Sequence, residues 1–121
     1  MELKGKTALV TGGGTGLGRS ISLLLAKEGM NLAINYSKSR DDAEKTAREA
    51  AALGVKTMTI QADVSVPEQA EKMIAETEKA FGRLDLLVNN AGTTKFVQFK
   101  DLDGLSEDDW EGWHNLTERI G

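Results

Sequence analysis

The chain has 121 residues, of which 40% are hydrophobic, 28% are charged and one is proline, a composition that suits one domain with one core and not two. Its 19 acids and 15 bases leave a net charge of −4. They are interleaved, so no basic stripe stands ready for a phosphate backbone, and nucleic acid is not an expected partner. With no cysteine, disulfides and thiolate metal sites are excluded, no metal site is expected, and a reducing, cytoplasmic setting fits. The apolar run Ala8-Leu9-Val10 is cut short by glycines, so neither a signal peptide nor a membrane span is expected.

In chain order, residues 6–11 form a short β-rich apolar run ending in glycines, the pattern of a buried parallel strand. Residues 17–28 follow as a helix, with Leu17, Ile21, Leu24 and Leu25 at helical spacing and Gly29 to end it. A second strand is predicted at 31–36. Ser39 and the early acids Asp41 and Asp42 then open a second helix that runs to about Leu53 and is broken by Gly54. Residues 56–61 give a third strand, with Met58 and Ile60 on one face. Pro67 starts a third helix that ends near Phe81-Gly82, and 84–88 is the fourth strand. Strands alternating with helices imply right-handed crossovers and a parallel sheet, with ligands at the carboxyl ends of the strands. The predicted fold is α/β, the N-terminal half of a Rossmann-type doubly wound parallel sheet with strand order 3-2-1-4 and flanking helices. Its fourth strand is expected to leave one apolar edge bare, open to self-pairing or a second chain.

The strongest motif is Thr11-Gly12-Gly13-Gly14-Thr15-Gly16-Leu17-Gly18, set between an apolar strand and an amphipathic helix, where a pyrophosphate meets a helix N-terminus. Gly12 suits the tight turn, Gly16 leaves the approach to a cofactor clear, and Gly18 permits close helix–strand packing. A rival reading takes Gly13 to Ser20 as a nucleoside-triphosphate loop with Arg19 in place of the lysine. That reading needs an acid on a later strand for magnesium, and Asp85 precedes the apolar run rather than following it.

The glycine motif, then Ala62-Asp63-Val64, then Asn89-Asn90-Ala91-Gly92, in that order at the ends of predicted strands, resemble the motifs of the short-chain dehydrogenase/reductase family. The resemblance is strongest to its 3-oxoacyl-[acyl-carrier-protein] reductase-like members. It implies a dinucleotide held by Gly12, Gly14, Thr15, Gly16, Leu17 and Gly18, with Asp63 and Val64 bordering the adenine and Asn90, Ala91 and Gly92 along the nicotinamide-side ribose. Asp63 also reads as an ordinary cap between strand and helix. Asn89 is expected to tie the central strands together, as a buried amide needs several partners. The family commonly forms dimers or tetramers, so a homo-oligomer is a possible state.

Cofactor choice turns on the end of the second strand, Asn35-Tyr36-Ser37-Lys38-Ser39-Arg40, where an NAD enzyme places an acid. No acid stands here. Tyr36, Ser37 and Arg40, with Lys38, offer donors and positive charge to a 2′-phosphate, so NADP(H) is preferred and NAD(H) is the alternative. Catalysis in the family uses a Tyr-x-x-x-Lys pair. Tyr36 is the one tyrosine here and the fourth residue after it is Arg40, so no catalytic residue is assigned. Residues 1–110 read as a partial NAD(P)-binding Rossmann domain. Residues 111–121 depart from the family pattern, with Gly112 inside an expected helix and Asn115 displaced from the family's asparagine after Trp110. His114 gets no role. The expected function is NAD(P)(H)-dependent reduction of an unidentified small carbonyl or oxidation of an alcohol. The alternatives are a non-catalytic dinucleotide-binding or partner-pairing chain and an inert truncated product.

Overall fold

Strand-forming residues Thr7, Ala8, Leu9, Val10 and Thr11 make up β1 (Thr7–Thr11), every one of them buried. That burial suits its place in the middle of a sheet. It pairs in parallel with β2 (Asn31–Tyr36) on one side and β4 (Leu86–Asn89) on the other, and β2 pairs in parallel with β3 (Thr57–Gln61). The expected order 3-2-1-4 is present. A fifth strand, β5 (Phe96–Phe99), lies antiparallel on the far side of β4, giving β3-β2-β1-β4-β5. The structure is a computed structural model that describes residues 3–90 and 96–99.

β5 corrects the expectation of a bare fourth-strand edge. The ladder runs from Leu86 opposite Phe99 to Asn89 opposite Phe96, so the edge groups of β4 pair with the chain's own backbone. Two physical causes meet here. Phe96-Val97-Gln98-Phe99 is a β-favouring segment beside an unpaired edge, and residues 90–95 are too few for the crossover that a parallel strand needs, which leaves the antiparallel direction.

The helices α1 (Gly16–Lys27), α2 (Arg40–Ala51) and α3 (Pro67–Phe81) connect the parallel strands. Alternation along the strands separates the core into two layers. Ala8, Val10, Leu32, Ile34, Leu86 and Val88 form one cluster with Ala26 of α1 and Ala43, Ala47 and Ala50 of α2. Leu9, Ala33, Ile60 and Leu87 form the other with Ala70, Met73 and Ile74 of α3. In α3 the buried residues Ala70, Met73, Ile74 and Thr77 recur at helical spacing, Pro67 occupies the first turn, and Gly82 ends the helix in the left-handed region at φ 78°.

α1 departs from its expected face. Leu17 and Leu24 are 52% and 59% exposed, whereas Gly18, Ser22 and Ala26 are buried. Ile21 and Leu25 pack at the margin. The buried stripe consists of small residues because α1 packs on the glycine loop and on α2, and only small side chains permit that approach. Ser22 stays satisfied there, its hydroxyl donating to the carbonyls of Gly18 at 2.8 Å and Gly13 at 3.1 Å.

Before β4, the Asp85 carboxylate accepts from the Thr7 N–H at 2.9 Å and is paired with Arg83 at 2.8 and 2.9 Å. It pins the amino end of the sheet. Among the described residues no helix is long and apolar enough to cross a membrane.

Candidate functional site

The carboxyl ends of β1, β2, β3 and β4 share one edge of the sheet, and the glycine loop crosses it. Gly12 at φ 60° and Gly16 at φ 52° bracket the loop in a conformation that side chains resist. Nothing lies within 4 Å of where a Cβ of Gly16 would stand, so that position faces open space. Gly18 is the opposite case. A Cβ there would overlap the Gly12 carbonyl oxygen and approach Asn90 Nδ2 to 2.5 Å, so helix and loop touch backbone to backbone.

Gly14 was expected to face the cofactor, and it does line the cleft described below, but its lack of a side chain answers a packing demand. A Cβ there would come within 2.6 Å of Ala43 Cα and 2.7 Å of Ala43 N. α2 sits directly on the loop. Thr46 Oγ1 donates to the Gly14 carbonyl at 3.1 Å and accepts from Arg19 at 3.3 Å, and Arg19 is ion-paired with Glu49. This overturns the triphosphate-loop reading. Arg19 is turned to α2, and Asp85 lies at the opposite end of the sheet.

Between the loop and the end of β2 is a cleft of about 220 Å³ lined by Gly12, Gly14, Thr15, Asn35, Tyr36, Ser37, Lys38 and Ser39. Of the residues singled out in the sequence, the cleft brings together Gly12, Gly14, Thr15, Tyr36 and Ser37. Gly16, Leu17 and Gly18 form the first turn of α1 beside it, where helical N–H groups and the positive end of the dipole favour an anion. Arg40 is not in this lining. Its Nε donates to Glu44 Oε1 at 3.0 Å, one turn along α2, and that hydrogen bond raises its already high pKa. Lys38 is the cation in the wall.

Asp63 and Val64 lie beyond β3, outside the lining of this cleft. Asp63 Oδ1 accepts from the Ser65 hydroxyl at 2.6 Å and the Ser65 N–H at 3.0 Å. These bonds, with a smaller contribution from the charge of Lys38, hold the carboxyl below its ordinary value. Asp63 therefore closes a turn before α3, whose N-cap is Val66. Val64 packs against the α3-side core.

At the end of β4, Asn89 is buried and its Oδ1 accepts from Thr11 Oγ1 at 3.0 Å, the tie between central strands that the sequence suggested. Asn90 donates its N–H to Thr11 Oγ1 at 2.9 Å and its Nδ2 to the Gly12 carbonyl at 3.3 Å. Among the described residues, Asn90 Oδ1 is buried without a hydrogen-bond partner, an acceptor held at the rim of the glycine loop. Ala91, Gly92 and the tail with Trp110, His114 and Asn115 fall outside the described residues.

Asn35 joins the site although no sequence motif marks it. Its side chain is 2% exposed, accepts from the Gly12 N–H at 3.3 Å, and donates to the Ile60 and Ala62 carbonyls at 3.3 and 3.2 Å. The available signal was an amide following the apolar run Leu32-Ala33-Ile34 inside the strand. Among the described residues no three His, Asp or Glu side chains group as a metal site requires.

Known proteins share this arrangement. A 3-oxoacyl-[acyl-carrier-protein] reductase, FabG, of Staphylococcus epidermidis is 51% identical over 120 residues, covering 95% of this chain and 49% of that protein. The chain thus spans about half the length of that relative. The short-chain dehydrogenase/reductase homolog YusS of Bacillus subtilis is 43% identical over 108 residues, 89% of this chain and 99% of that one. A short chain dehydrogenase from Burkholderia cenocepacia, solved in complex with NADP, superposes with a TM-score of 0.74 at 38% identity, over 99% of this chain and 46% of the other. The model of the short chain dehydrogenase family matches residues 6–116, and the chain belongs to that family.

Proposed function

We propose that this chain is the cofactor-holding part of an NADP(H)-dependent oxidoreductase that reduces a small carbonyl compound or oxidises the corresponding alcohol. The observation that carries this reading is the cleft between the glycine loop and the end of β2, whose wall presents Tyr36, Ser37 and Lys38 and no carboxylate. A 2′-phosphate there meets a hydroxyl donor and a cation, and an NAD-type acid that would repel it is lacking.

The residues fit a dinucleotide. The loop and first turn of α1 offer N–H groups to a pyrophosphate, Gly16 leaves the approach open, and Asn90 Oδ1, without a partner among the described residues, would accept from a sugar hydroxyl. Bound there, the nicotinamide supplies hydride chemistry. The protein's part is to orient the cofactor by its phosphates and its adenosine end. Proton transfer falls to the family's Tyr-x-x-x-Lys pair, which is not among these 121 residues: Tyr36, the one tyrosine, is followed four positions later by Arg40. No catalytic residue is therefore assigned here.

A second reading is dinucleotide binding without turnover, which the glycine loop and the cleft would serve equally well. Titration by NADPH fluorescence decides. Saturable binding about tenfold tighter for NADPH than for NADH, the size of one charge-assisted contact, is expected. Equal affinities would remove the NADP(H) preference, and no binding of either would overturn the proposal. Hydride transfer to a panel of small ketones separates the two readings, since the second gives binding and no oxidation of NADPH.

A further inference from the structure

The β1–β2 ladder ends at Val10 opposite Ile34, before the glycine loop begins, while the β2–β3 ladder continues to Tyr36 opposite Gln61. Beyond its last ladder bond a parallel strand pair is free to splay. Here Asn35 takes over. Its carbonyl accepts from the Gly13 N–H at 3.1 Å and its Oδ1 accepts from the Gly12 N–H at 3.3 Å. On the other side its Nδ2 donates to the carbonyls of Ile60 at 3.3 Å, Ala62 at 3.2 Å and Tyr36 at 3.4 Å.

The amide has one orientation that satisfies this ring of groups, with oxygen toward the loop N–H and nitrogen toward the carbonyls. One buried side chain thereby joins the start of the pyrophosphate loop to the end of β3. The Asn35 side chain takes up the Gly12 N–H and its backbone carbonyl takes up the Gly13 N–H, so those two donors are turned into the protein rather than toward an anion.

We propose that Asn35 is a positioning residue for the cofactor, which fixes the distance between the phosphate-holding loop and the adenosine-holding ends of β2 and β3. The inference rests on the cofactor reading above. No other side chain of that size does both jobs. Aspartate keeps the acceptor for Gly12 but sets a carboxylate against the Ile60 and Ala62 carbonyls, whereas alanine removes both functions without adding repulsion.

Two ligands separate positioning from general stability. NADP⁺ spans both halves of the cleft, and adenosine 2′-monophosphate occupies the adenosine half alone. With folding of each variant verified by circular dichroism, Asn35→Ala is expected to weaken NADP⁺ about tenfold, the loss of one or two buried hydrogen bonds, and to change adenosine 2′-monophosphate affinity less than about threefold. Asn35→Asp is expected to be worse than Asn35→Ala. A packing role predicts the reverse, because aspartate keeps the shape, so equal loss of both ligands or a milder aspartate variant overturns the proposal.

A measurement on the wild-type chain stands even if the variants do not fold. The Gly12 and Gly13 amides should exchange slowly with deuterium before any ligand is added and gain no protection when NADP⁺ saturates. New protection at either amide would mean that it binds phosphate, against the proposal. Failure of the wild-type chain to bind NADP⁺ is a separate result that overturns the cofactor reading itself, and this inference with it.

Discussion

Replacing Gly18 with alanine sets two effects of opposite sign against each other. Alanine is the better helix former, worth about 1 kcal/mol inside a helix. Against that gain, the new Cβ overlaps the Gly12 carbonyl oxygen and stands 2.9 Å from its carbon, where ordinary contact begins near 3.4 Å, so α1 and the loop must separate by about half an ångström or more. Both opposing atoms are backbone and cannot swing aside. Forced separation of this kind costs roughly 1–3 kcal/mol. The Asn90 Nδ2 bond to the Gly12 carbonyl, in the same place, adds about 1 kcal/mol when lost. The clash wins, and Gly18→Ala is expected to destabilise the fold by about 2 kcal/mol. Gly16→Ala is the contrast. Its Cβ meets nothing, so the cost is the φ of 52° alone, about 1 kcal/mol, while cofactor affinity is expected to fall more than tenfold if the pyrophosphate sits over this open position as proposed. Urea unfolding and NADPH titration of both variants check the pair. A Gly18→Ala protein as stable as wild type would refute the backbone-contact argument, and unchanged NADPH binding by Gly16→Ala would refute the placement of the pyrophosphate.

Asp85 is held below its ordinary carboxylate range first by its hydrogen bonds with Arg83 and then by the Thr7 N–H, against the opposing effect of burial. A depressed pKa contributes stability above the unfolded value of about 3.9 that is lost as pH falls through the lower folded value. Asp85→Asn is therefore expected to cost about 2 kcal/mol at pH 7, and the gap to wild type should close below pH 4 in urea midpoints. Lys38 lines the cleft and Arg40 is paired outward with Glu44, so Lys38→Ala should erode the preference for NADPH over NADH several-fold and Arg40→Ala should change it little. An equal or larger effect of Arg40→Ala would place the 2′-phosphate elsewhere. The amides of β4, paired with β1 and β5 on its two sides, should exchange slowly from Leu86 to Asn89, and rapid exchange in alternate residues would remove β5 from the sheet.

The parallel half-sheet was legible in the sequence because each strand is a short apolar run closed by glycine or polar residues and each helix carries a start or stop signal, as Pro67 and Gly82 do for α3. The register of α1 was not. Hydrophobic periodicity points to Leu17 and Leu24, yet the helix turns Gly18, Ser22 and Ala26 inward, because backbone proximity to the loop and α2 outweighs the burial of two leucines. Such a demand leaves no apolar trace to count. β5 escaped for a related reason, since Phe96–Phe99 is too short to announce itself and becomes a strand through the edge beside it. In the site, the hydroxyl and cationic residues at the end of β2 are legible in the sequence, but sequence carries no information on whether Arg40 faces the cleft or Glu44.

The glycine motif itself has more than one cause, and the causes bear differently on function. Gly14 and Gly18 are fixed by backbone contacts with Ala43 and Gly12, contacts the fold needs whether or not a dinucleotide ever binds. Gly16, facing open space, is the position in the motif that a ligand's approach explains best. A chain that had ceased to bind cofactor would still need Gly14 and Gly18 to fold, so those two glycines argue for the fold more than for the ligand. The groups that speak for a ligand are ones the fold does not require: the open approach over Gly16, the wall of Tyr36, Ser37 and Lys38, and Asn90 Oδ1, which has no partner among the described residues. All three lie along the carboxyl edge of the sheet, where the loop held by Asn35 meets the first turn of α1.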